Sequence, residues 1–416
     1  MLPTLALLSS CAFDSPAERS ALRDSAGITI VETIAPQATW RLSPQPELKI
    51  GVIDGDDVYQ FSSVAFAGRL SNGSVVVADR QSCEIRFFDQ TGRHTTTVGR
   101  CGAGPGELRS FGDVVLAGDS LHVYDPNNGR LWLIGPNGML VAEQRAQDNP
   151  AFAVPGLGHS LLGIVPDVRM VIAMPPVINP PSAQNSFVYG RDTVVIVLSP
   201  RRGATVDTIA RVAGGEYLYM DAAASPVRPH GTAAGGWSRS GMTFGYYPLY
   251  ALRPDGLVYT TGEDAGFEVM RFSASHRGST SLIVRRTGVR AVPVAEVADR
   301  YAEWVGNLVG SGADTRDAVS SARARIAALP RDHHVPFVDE MLVDSEGRIW
   351  QRDYQMPWEA EDSPRSWIVY SPAGQAVGRI VLPGNLRVTQ IQADHIVGVT
   401  YNEADVSFVT VHRIFR

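Results

Sequence analysis

Four short strand patterns separated by turns recur along the chain with a period in the mid-forties, and this repeat constrains the fold more than any other feature. The first unit covers residues 62–99, and the second follows the same plan. Val77-Ala78-Asp79 in the first unit aligns on Val123-Tyr124-Asp125 in the second, 46 residues later. Four strands in a repeat of this length are typical of one blade of a β-propeller. The sequence therefore predicts an all-β fold built from blades.

Glycine and proline mark the turns between these strand patterns. The 416 residues include 40 glycines and 27 prolines, which stand between short apolar runs. Glycine tolerates the positive φ that a tight hairpin turn requires. Six blades is the predicted number, and seven stays open because the third unit gives a weak pattern. The dipeptides that mark hairpins are Asn72-Gly73, Thr91-Gly92, Asn137-Gly138, Asp255-Gly256, Glu346-Gly347 and Ala373-Gly374.

The sixth unit lacks one strand. Its three strand patterns lie at residues 387–390, 395–400 and 407–414, whereas the β-branched run at residues 27–32 has no local partner. We expect this N-terminal strand to pair with the C-terminal strand and close the last blade, because an unpaired edge promotes aggregation.

Residues 293–330 interrupt the β pattern. They are rich in alanine and place Val297, Tyr301 and Trp304 on one face of a helix. A second helical pattern follows the glycines at 310 and 312. Because the segment lies between the fourth and fifth units, the sequence predicts a helical hairpin inserted between blades four and five.

The N-terminal residues have the pattern of a secretion signal. Residues 1–11 form an apolar run that ends in small residues and Cys11, and this run is too short to span a bilayer. Leu8-Ser9-Ser10-Cys11 resembles the bacterial lipobox, whose cysteine carries lipid. We therefore predict a signal at residues 1–11, a flexible tether at 12–26 and the propeller at 27–416, anchored at the outer membrane and facing the periplasm or the exterior. The alternative is an ordinary N-terminus with a buried cysteine.

Two further cysteines remain if Cys11 is acylated. Cys83 falls in the turn between the second and third strands of the first unit, and Cys101 falls in the crossing to the second unit. Both positions belong to the same face of a propeller. In an oxidising envelope we expect Cys83 and Cys101 to form a disulfide.

The same crossing carries a motif that resembles a known family. Val98-Gly99-Arg100-Cys101-Gly102-Ala103-Gly104-Pro105-Gly106-Glu107-Leu108 resembles the Gly-x-Gly-Pro-Gly-Glu-Phe stretch of six-bladed propellers related to the NHL-repeat group. The resemblance is strong over residues 58–145 and fair over residues 337–382. It implies a six-bladed propeller of the kind found among bacterial envelope lipoproteins, most of which have no assigned activity. The alternative, a phosphate-binding loop, would require a following helix that begins with Lys-Ser or Lys-Thr.

The upper face of a propeller carries the turns between second and third strands and the crossings between blades. Carboxylates from several blades meet there and could bind Ca²⁺, which prefers several oxygen ligands. The alternative is that each aspartate caps the turn that follows it through backbone amides. The ligand-binding candidates at this face are Asp79, Arg80, Asp125, Asn127, Asp264, Asp353 and Glu403.

A second group of candidates precedes the fifth unit. Asp332, His333 and His334 follow the helical segment, so they enter the ring near the mouth of the central channel. Adjacent residues of an extended chain point in opposite directions, so at most one histidine faces the channel. That histidine is a candidate general base or metal ligand, with Asp332 beside it. The alternative is a loop histidine bonded to a carbonyl group.

Charge indicates which partners to expect. The formal net charge is −6, and acidic and basic residues are mixed along the chain, so there is no electrostatic footprint for nucleic acid. We predict a monomeric, non-catalytic propeller without a cofactor, which contacts the membrane only through its lipid and binds a ligand or an envelope protein at its upper face. The alternative is a Ca²⁺-dependent hydrolase, lactonase or lyase at the channel mouth.

Overall fold

The computed structural model of the chain describes residues 20–34, 36, 38–149, 151–152, 160–165, 169–174, 188–200, 206–221, 237–253, 255–262, 268–273, 280–310, 312–402 and 404–416. The predicted signal, with Cys11, lies outside these residues. The described residues form β-strands and two α-helices in a propeller-like arrangement, which confirms the all-β prediction. Neither helix is long and apolar enough to cross a membrane.

Four short strands precede the first repeat. They are β1 (Ser20–Ser25), β2 (Ile28–Ile34), β3 (Thr39–Leu42) and β4 (Leu48–Ile50). β1 and β2 form an antiparallel hairpin through a turn at Ala26 and Gly27, both with positive φ. Residues 20–25, which the sequence interpretation assigns to the tether, are therefore part of a sheet.

Two four-stranded antiparallel sheets form the first two repeats. The strands of the first sheet are β5 (Val64–Arg69), β6 (Val75–Asp79), β7 (Glu84–Phe88) and β8 (His94–Val98). Those of the second are β9 (Asp113–Ala117), β10 (Ser120–Asp125), β11 (Arg130–Ile134) and β12 (Leu140–Arg145). β6 is buried at every position, because both faces of a central strand contact neighbouring sheets. The six glycines of the predicted hairpin turns all have positive φ.

The third sheet is larger than the sequence predicts. Its strands are β13 (Ser160–Val165), β14 (Arg169–Met174), β15 (Val188–Pro200), β16 (Asp207–Asp221) and β17 (Trp237–Gly241). β15 and β16 form a long hairpin, in which a bulge places Asp192 opposite Gly214 and Gly215. This bulge separates the part of the hairpin that continues the blade from an extension at its upper end, where β17 pairs with β16.

The fourth sheet precedes the helical insertion. It contains β18 (Tyr250–Leu252), β19 (Leu257–Thr261), β20 (Glu268–Ser273) and β21 (Thr280–Thr287). Two helices follow, α1 (Val294–Val309) and α2 (Ala313–Ala327), within the predicted segment. Tyr301 of α1 and Ala322 of α2 are buried in one cluster with Phe244 and Val335. The helices therefore pack against the chain that leads into the fourth sheet as well as the chain that leads into the next group of strands.

The remaining strands form two further antiparallel groups. β22 (Val338–Val343), β23 (Ile349–Asp353), β24 (Arg365–Tyr370) and β25 (Ala376–Leu382) make up the first group. β26 (Leu386–Ile391), β27 (His395–Tyr401) and β28 (Ser407–Phe415) make up the second. β3 bonds to both β25 and β28, so the two groups are one continuous nine-stranded sheet together with β3 and β4.

The first strands of successive groups lie beside one another. β5 neighbours β9, β9 neighbours β13, β13 neighbours β18, β18 neighbours β22, β22 neighbours β26, and β26 neighbours β5. Apolar side chains fill the space between consecutive sheets. Val76 and Trp132 belong to the cluster between the first and second sheets, and Val171 and Val258 to the cluster between the third and fourth.

The prediction that the strand at residues 27–32 pairs with the C-terminal strand is wrong. β2 pairs in parallel with β21 at the edge of the fourth sheet, where Val31 is buried with Val284 and Ile368. The later strand β4 pairs instead with β28, where Ile50 is buried with Val409. β2 is rich in β-branched residues and β4 has only Ile50, so the sheet edge that can bury each segment, and not β-propensity, decides which one pairs with the C-terminal strand.

Candidate functional site at the upper face

Asp79 ends β6 at the upper face, and its side chain is buried. Its carboxylate oxygens accept hydrogen bonds from the backbone N–H groups of Ser62 at 3.0 Å, Ser63 at 3.3 Å and Gln81 at 2.9 Å. Such an arrangement satisfies amides that lie outside the ladder of the sheet. The geometry corresponds to the turn-capping alternative for this residue.

Asp125 has the equivalent place at the end of β10 and is fully buried. It accepts hydrogen bonds from the backbone N–H of Arg109 at 2.8 Å and the Ser110 hydroxyl at 2.8 Å. The backbone N–H groups of Asn127 and Asn128 donate at 3.0 Å and 3.1 Å. The predicted ligand residue Asn127 thus contributes its backbone to this turn, and its side chain is exposed.

The other ligand-binding candidates do not join these two aspartates. Arg80 is exposed, and Asp353 forms an ion pair with Arg286 of β21 at 2.7 Å. Asp264 and Glu403 lie outside the described residues. Within the described part of the chain, no three His, Cys, Asp or Glu side chains are grouped as a metal site would require.

The glycine-rich crossing folds around the side chain of Glu107. The Glu107 carboxylate accepts hydrogen bonds from the Gly104 N–H at 2.6 Å and from Arg100 Nε at 2.9 Å. These bonds lower the pKa of Glu107. A Cβ at Gly102 would lie 2.1 Å from this carboxylate, so a larger residue there would displace Glu107 from these hydrogen bonds. A carboxylate of the chain itself therefore takes the amide donors that a phosphate would use.

Side chains of the second sheet hold this crossing from the other side. Asn128 Nδ2 donates to the Gly102 carbonyl at 2.9 Å, and the Arg130 guanidinium donates to the carbonyls of Ala103 and Gly104. Cys83 and Cys101, which tie the crossing to the first sheet, are joined by a disulfide. Cys83 has a φ of 55°, an uncommon conformation for a residue other than glycine.

His333 is the candidate catalytic residue that the fold places in a buried polar cluster. His333 Nε2 lies 2.9 Å from the Phe244 carbonyl oxygen and 3.6 Å from Glu216 Oε2. Glu216 of β16 is buried and accepts hydrogen bonds from the Tyr189 hydroxyl at 2.6 Å and the Tyr246 N–H at 2.6 Å. We refer to Tyr189, Glu216 and His333 as the acid–histidine cluster.

Burial and the hydrogen bond to Glu216 both raise the pKa of Tyr189. Its hydroxyl therefore stays protonated and donates to the Glu216 carboxylate. Arg191, directly opposite Glu216 in the hairpin, stacks its guanidinium on the Tyr246 ring at 4.5 Å. These contacts connect the extension of the third sheet to the chain that enters the fourth.

The neighbours of His333 have different surroundings. Asp332 is exposed and close enough to Tyr189 to raise the pKa of that tyrosine. His334 forms an isolated backbone bridge with Pro293, beside a hydrogen bond from Val335 to Val292. Of the three catalytic candidates, His333 is the one that reaches the buried cluster. Its hydrogen bond to the Phe244 carbonyl corresponds to the alternative stated for this segment, a loop histidine bonded to a carbonyl group.

A cavity of about 170 Å³ lies on the opposite face of the same hairpin. Alternation along β15 and β16 places Tyr189, Arg191 and Glu216 on one face and Asp192 and Tyr217 on the other. The first residues of β13 and β18 contribute to its wall, so the cavity lies at the upper ends of the third and fourth sheets. Its lining residues are Ser160, Ala173, Asp192, Val194, Gly215, Tyr217, Tyr247, Pro248 and Tyr250.

A second polar network lies on the inner strand of the fifth group. A bulge in β22 puts Asp339 and Glu340 beside Arg352, which binds both carboxylates at 2.6 Å. Arg365 also binds Asp339. Burial raises the pKa of Glu340 despite these cations. This network pairs its own charges, which favours a structural role.

The sequence interpretation missed the residues that line the cavity. Tyr217, Tyr247 and Tyr250 come from a strand, a connection and the next sheet, and no motif relates them. The available signal was a local excess of tyrosine between residues 217 and 250. Glu216 was also missed, because one acidic residue in a strand pattern is ordinarily exposed.

No family model matches this chain, and no curated protein matches it. Among solved structures, a Bacteroides fragilis protein described as exported aligns with 12% identity and a TM-score of 0.47, covering 93% of this chain and 100% of its own. A DUF4221 family member from Bacteroides vulgatus aligns with 12% identity and a TM-score of 0.48, covering 91% and 99%. A gluconolactonase from Xanthomonas campestris aligns with 10% identity and a TM-score of 0.36, covering 90% and 99%.

Proposed function

We propose that this chain is a lipid-anchored, six-bladed propeller of the bacterial envelope that binds a small ligand at its upper face without catalysis. The observation that carries the proposal is the cavity between the third and fourth sheets, which combines aromatic side chains with a few polar groups. Ligand sites in proteins commonly have this composition. The cyclic order of the first strands supports the count of six blades.

Two observations support the envelope location. The Leu8-Ser9-Ser10-Cys11 pattern resembles a lipobox, and lipid attached at Cys11 would place the chain at a membrane surface. The disulfide between Cys83 and Cys101 is of a kind that persists in oxidising compartments such as the bacterial periplasm. We propose the outer membrane as the site of anchoring and a monomer as the functional state.

A cavity-filling variant tests ligand binding. Thermal-shift screening of the full chain against monosaccharides, amino acids, carboxylates and alkylammonium ions should find compounds that raise the Tm. Ala173→Leu should abolish these shifts, because Ala173 lines the cavity and is buried. Ala210→Leu is the matched control, since Ala210 lies in the same apolar cluster but does not line the cavity.

Either of two results would overturn this proposal. One is a screen in which no compound changes the Tm of the unmodified chain. The other is a ligand-induced shift that persists in a folded Ala173→Leu protein, because the ligand would then bind elsewhere. Melting of both variants without ligand shows whether overpacking, which typically costs about 1–3 kcal/mol, has affected them equally.

The alternative function is a Ca²⁺-dependent hydrolase, lactonase or lyase, and the acid–histidine cluster is the observation that favours it. The strand-end acids do not fit a calcium site, because Asp79 and Asp125 accept backbone hydrogen bonds and Asp353 pairs with Arg286. Titration with calcium and with a chelator, followed by Tm, separates the two functions. A stoichiometric, chelator-sensitive ion would favour the enzyme.

A further inference from the structure

The cavity at the upper face has three aromatic walls and no cationic side chain among its lining residues. Tyr217 and Tyr247 meet edge to face, with ring centroids 5.8 Å apart and planes at 82°. Because the two planes are nearly perpendicular, the π faces of the two rings are directed differently, and both residues line the cavity. Tyr250 adds a third ring from the first strand of the fourth sheet.

The positions of these rings are fixed by neighbouring groups. The Tyr247 hydroxyl accepts a hydrogen bond from the Met242 N–H at 2.8 Å. Tyr250 belongs to a sheet strand, and Tyr217 lies next to the buried Glu216 in β16. A site whose walls are already ordered binds its ligand with a smaller entropic cost.

The Tyr250 hydroxyl is a buried polar atom with no hydrogen-bond partner among the described residues. Buried polar atoms normally have a partner, so this hydroxyl is able to bond to a further polar group. Burial, together with the nearby Tyr246 and Tyr217, raises the pKa of Tyr250. The hydroxyl of this cavity-lining tyrosine therefore stays protonated.

We propose that this cavity, formed by Tyr217, Tyr247 and Tyr250 with Asp192 on the same wall, binds a small organic ammonium ion. This inference rests on the proposed function and names the ligand class of the same site. Cations bind strongly to the faces of aromatic rings when water is displaced, and alkylated ammonium ions are the ligands that aromatic cages recognise. Asp192, which is 5% exposed, places an acidic residue in the same wall. Drug-sized ligands occupy roughly 300 Å³ or more. The volume of this cavity is smaller, which suits a small organic ion.

Choline and 3,3-dimethylbutan-1-ol test the role of charge, because they have nearly the same shape and differ in the cationic nitrogen. Calorimetric titration of the full chain should show that choline binds and that the neutral alcohol binds at least about tenfold more weakly. Tyr217→Leu should weaken choline binding by about tenfold or more, whereas Tyr217→Phe, which keeps the aromatic face, should bind within about threefold of the unmodified chain. Tyr401→Leu, a tyrosine in the last group of strands that does not line the cavity, is the control for unspecific effects.

The possible results separate this inference from the proposed function. If choline and the alcohol bind equally and Ala173→Leu abolishes both, the cavity binds ligands but does not select cations, and the inference is wrong. If neither choline nor the alcohol binds, the inference is also wrong. The thermal-shift screen then decides by itself whether the proposed function holds. Equal loss of choline binding in Tyr217→Leu and Tyr217→Phe would show that the aromatic face of Tyr217 does not bind the cation.

Discussion

At the scale of single residues, Asp79 and Asp125 have the same task in consecutive blades. Each ends the second strand of its sheet and holds the segment that leads into the first strand of that sheet. Backbone N–H groups at that point are beyond the ladder, and a buried carboxylate satisfies several of them at once. The repeat of 46 residues that relates the two aspartates in the sequence therefore reflects a repeated structural requirement.

We expect Asp79→Ala to lower the free energy of unfolding by about 3 kcal/mol, because it leaves buried amide groups without a partner. Asp89→Ala is the matched control. Asp89 also binds backbone N–H groups, those of Thr91 and Arg93, but in an exposed turn, so its loss should cost under about 1 kcal/mol. Chemical denaturation measures both. If Asp79→Ala instead left stability unchanged and abolished ligand binding, the turn-capping interpretation would fail.

At the scale of elements, local pairing was predictable and pairing between distant segments was not. Hairpins such as β6–β7 and the two helices follow from turn residues and apolar periodicity in one stretch of chain. The parallel pairing of β2 with β21 joins segments about 250 residues apart, and nothing in either segment specifies the other. The C-terminal strand β28 likewise obtains its partner, β4, from the other end of the chain.

The β4–β28 junction contains a histidine whose pKa is lowered in the folded chain. Burial lowers the pKa of His412, in β28, from its ordinary value of 6.5, while a hydrogen bond to the Ser43 carbonyl acts in the opposite direction. The unfolded chain therefore binds this proton more readily, and stability falls as the pH drops from 6.5 toward the folded pKa. We expect a smaller loss of unfolding free energy between about pH 7.5 and about pH 5.5 in His412→Gln than in the unmodified chain. Equal losses in urea titrations at the two pH values would contradict this.

At the scale of the whole molecule, the ring depends on contacts between chain ends. The first strands follow one another in a cycle, and β26 neighbours β5 only because the last sheet lies beside the first. β4 completes the last group and buries Ile50 with Val64 of the first sheet and Val409 of the last. Ring closure thus comes from residues 48–50 and not from the earlier strand that the sequence suggested.

Ile50→Ala should reduce the free energy of unfolding by about 2–4 kcal/mol, since it removes a fully buried side chain at the closure. Ile53→Ala, three residues away and 66% exposed, should change it by less than about 0.5 kcal/mol. Thermal and chemical unfolding of both variants provide the comparison. A small effect of Ile50→Ala, similar to that of Ile53→Ala, would show that this contact does not stabilise the ring.

Local sequence patterns predicted the all-β class, the repeated strands, the hairpin turns and the helical hairpin, because each depends on residues close together in the chain. The sequence also indicated His333, but only as a histidine near a strand. Packing between distant segments brings His333 to Glu216 and Tyr189 and places three tyrosines in the wall of one cavity. Those residues come from different sheets and connections, so their approach depends on how the sheets pack, and the energy that sets this packing is distributed over the whole core.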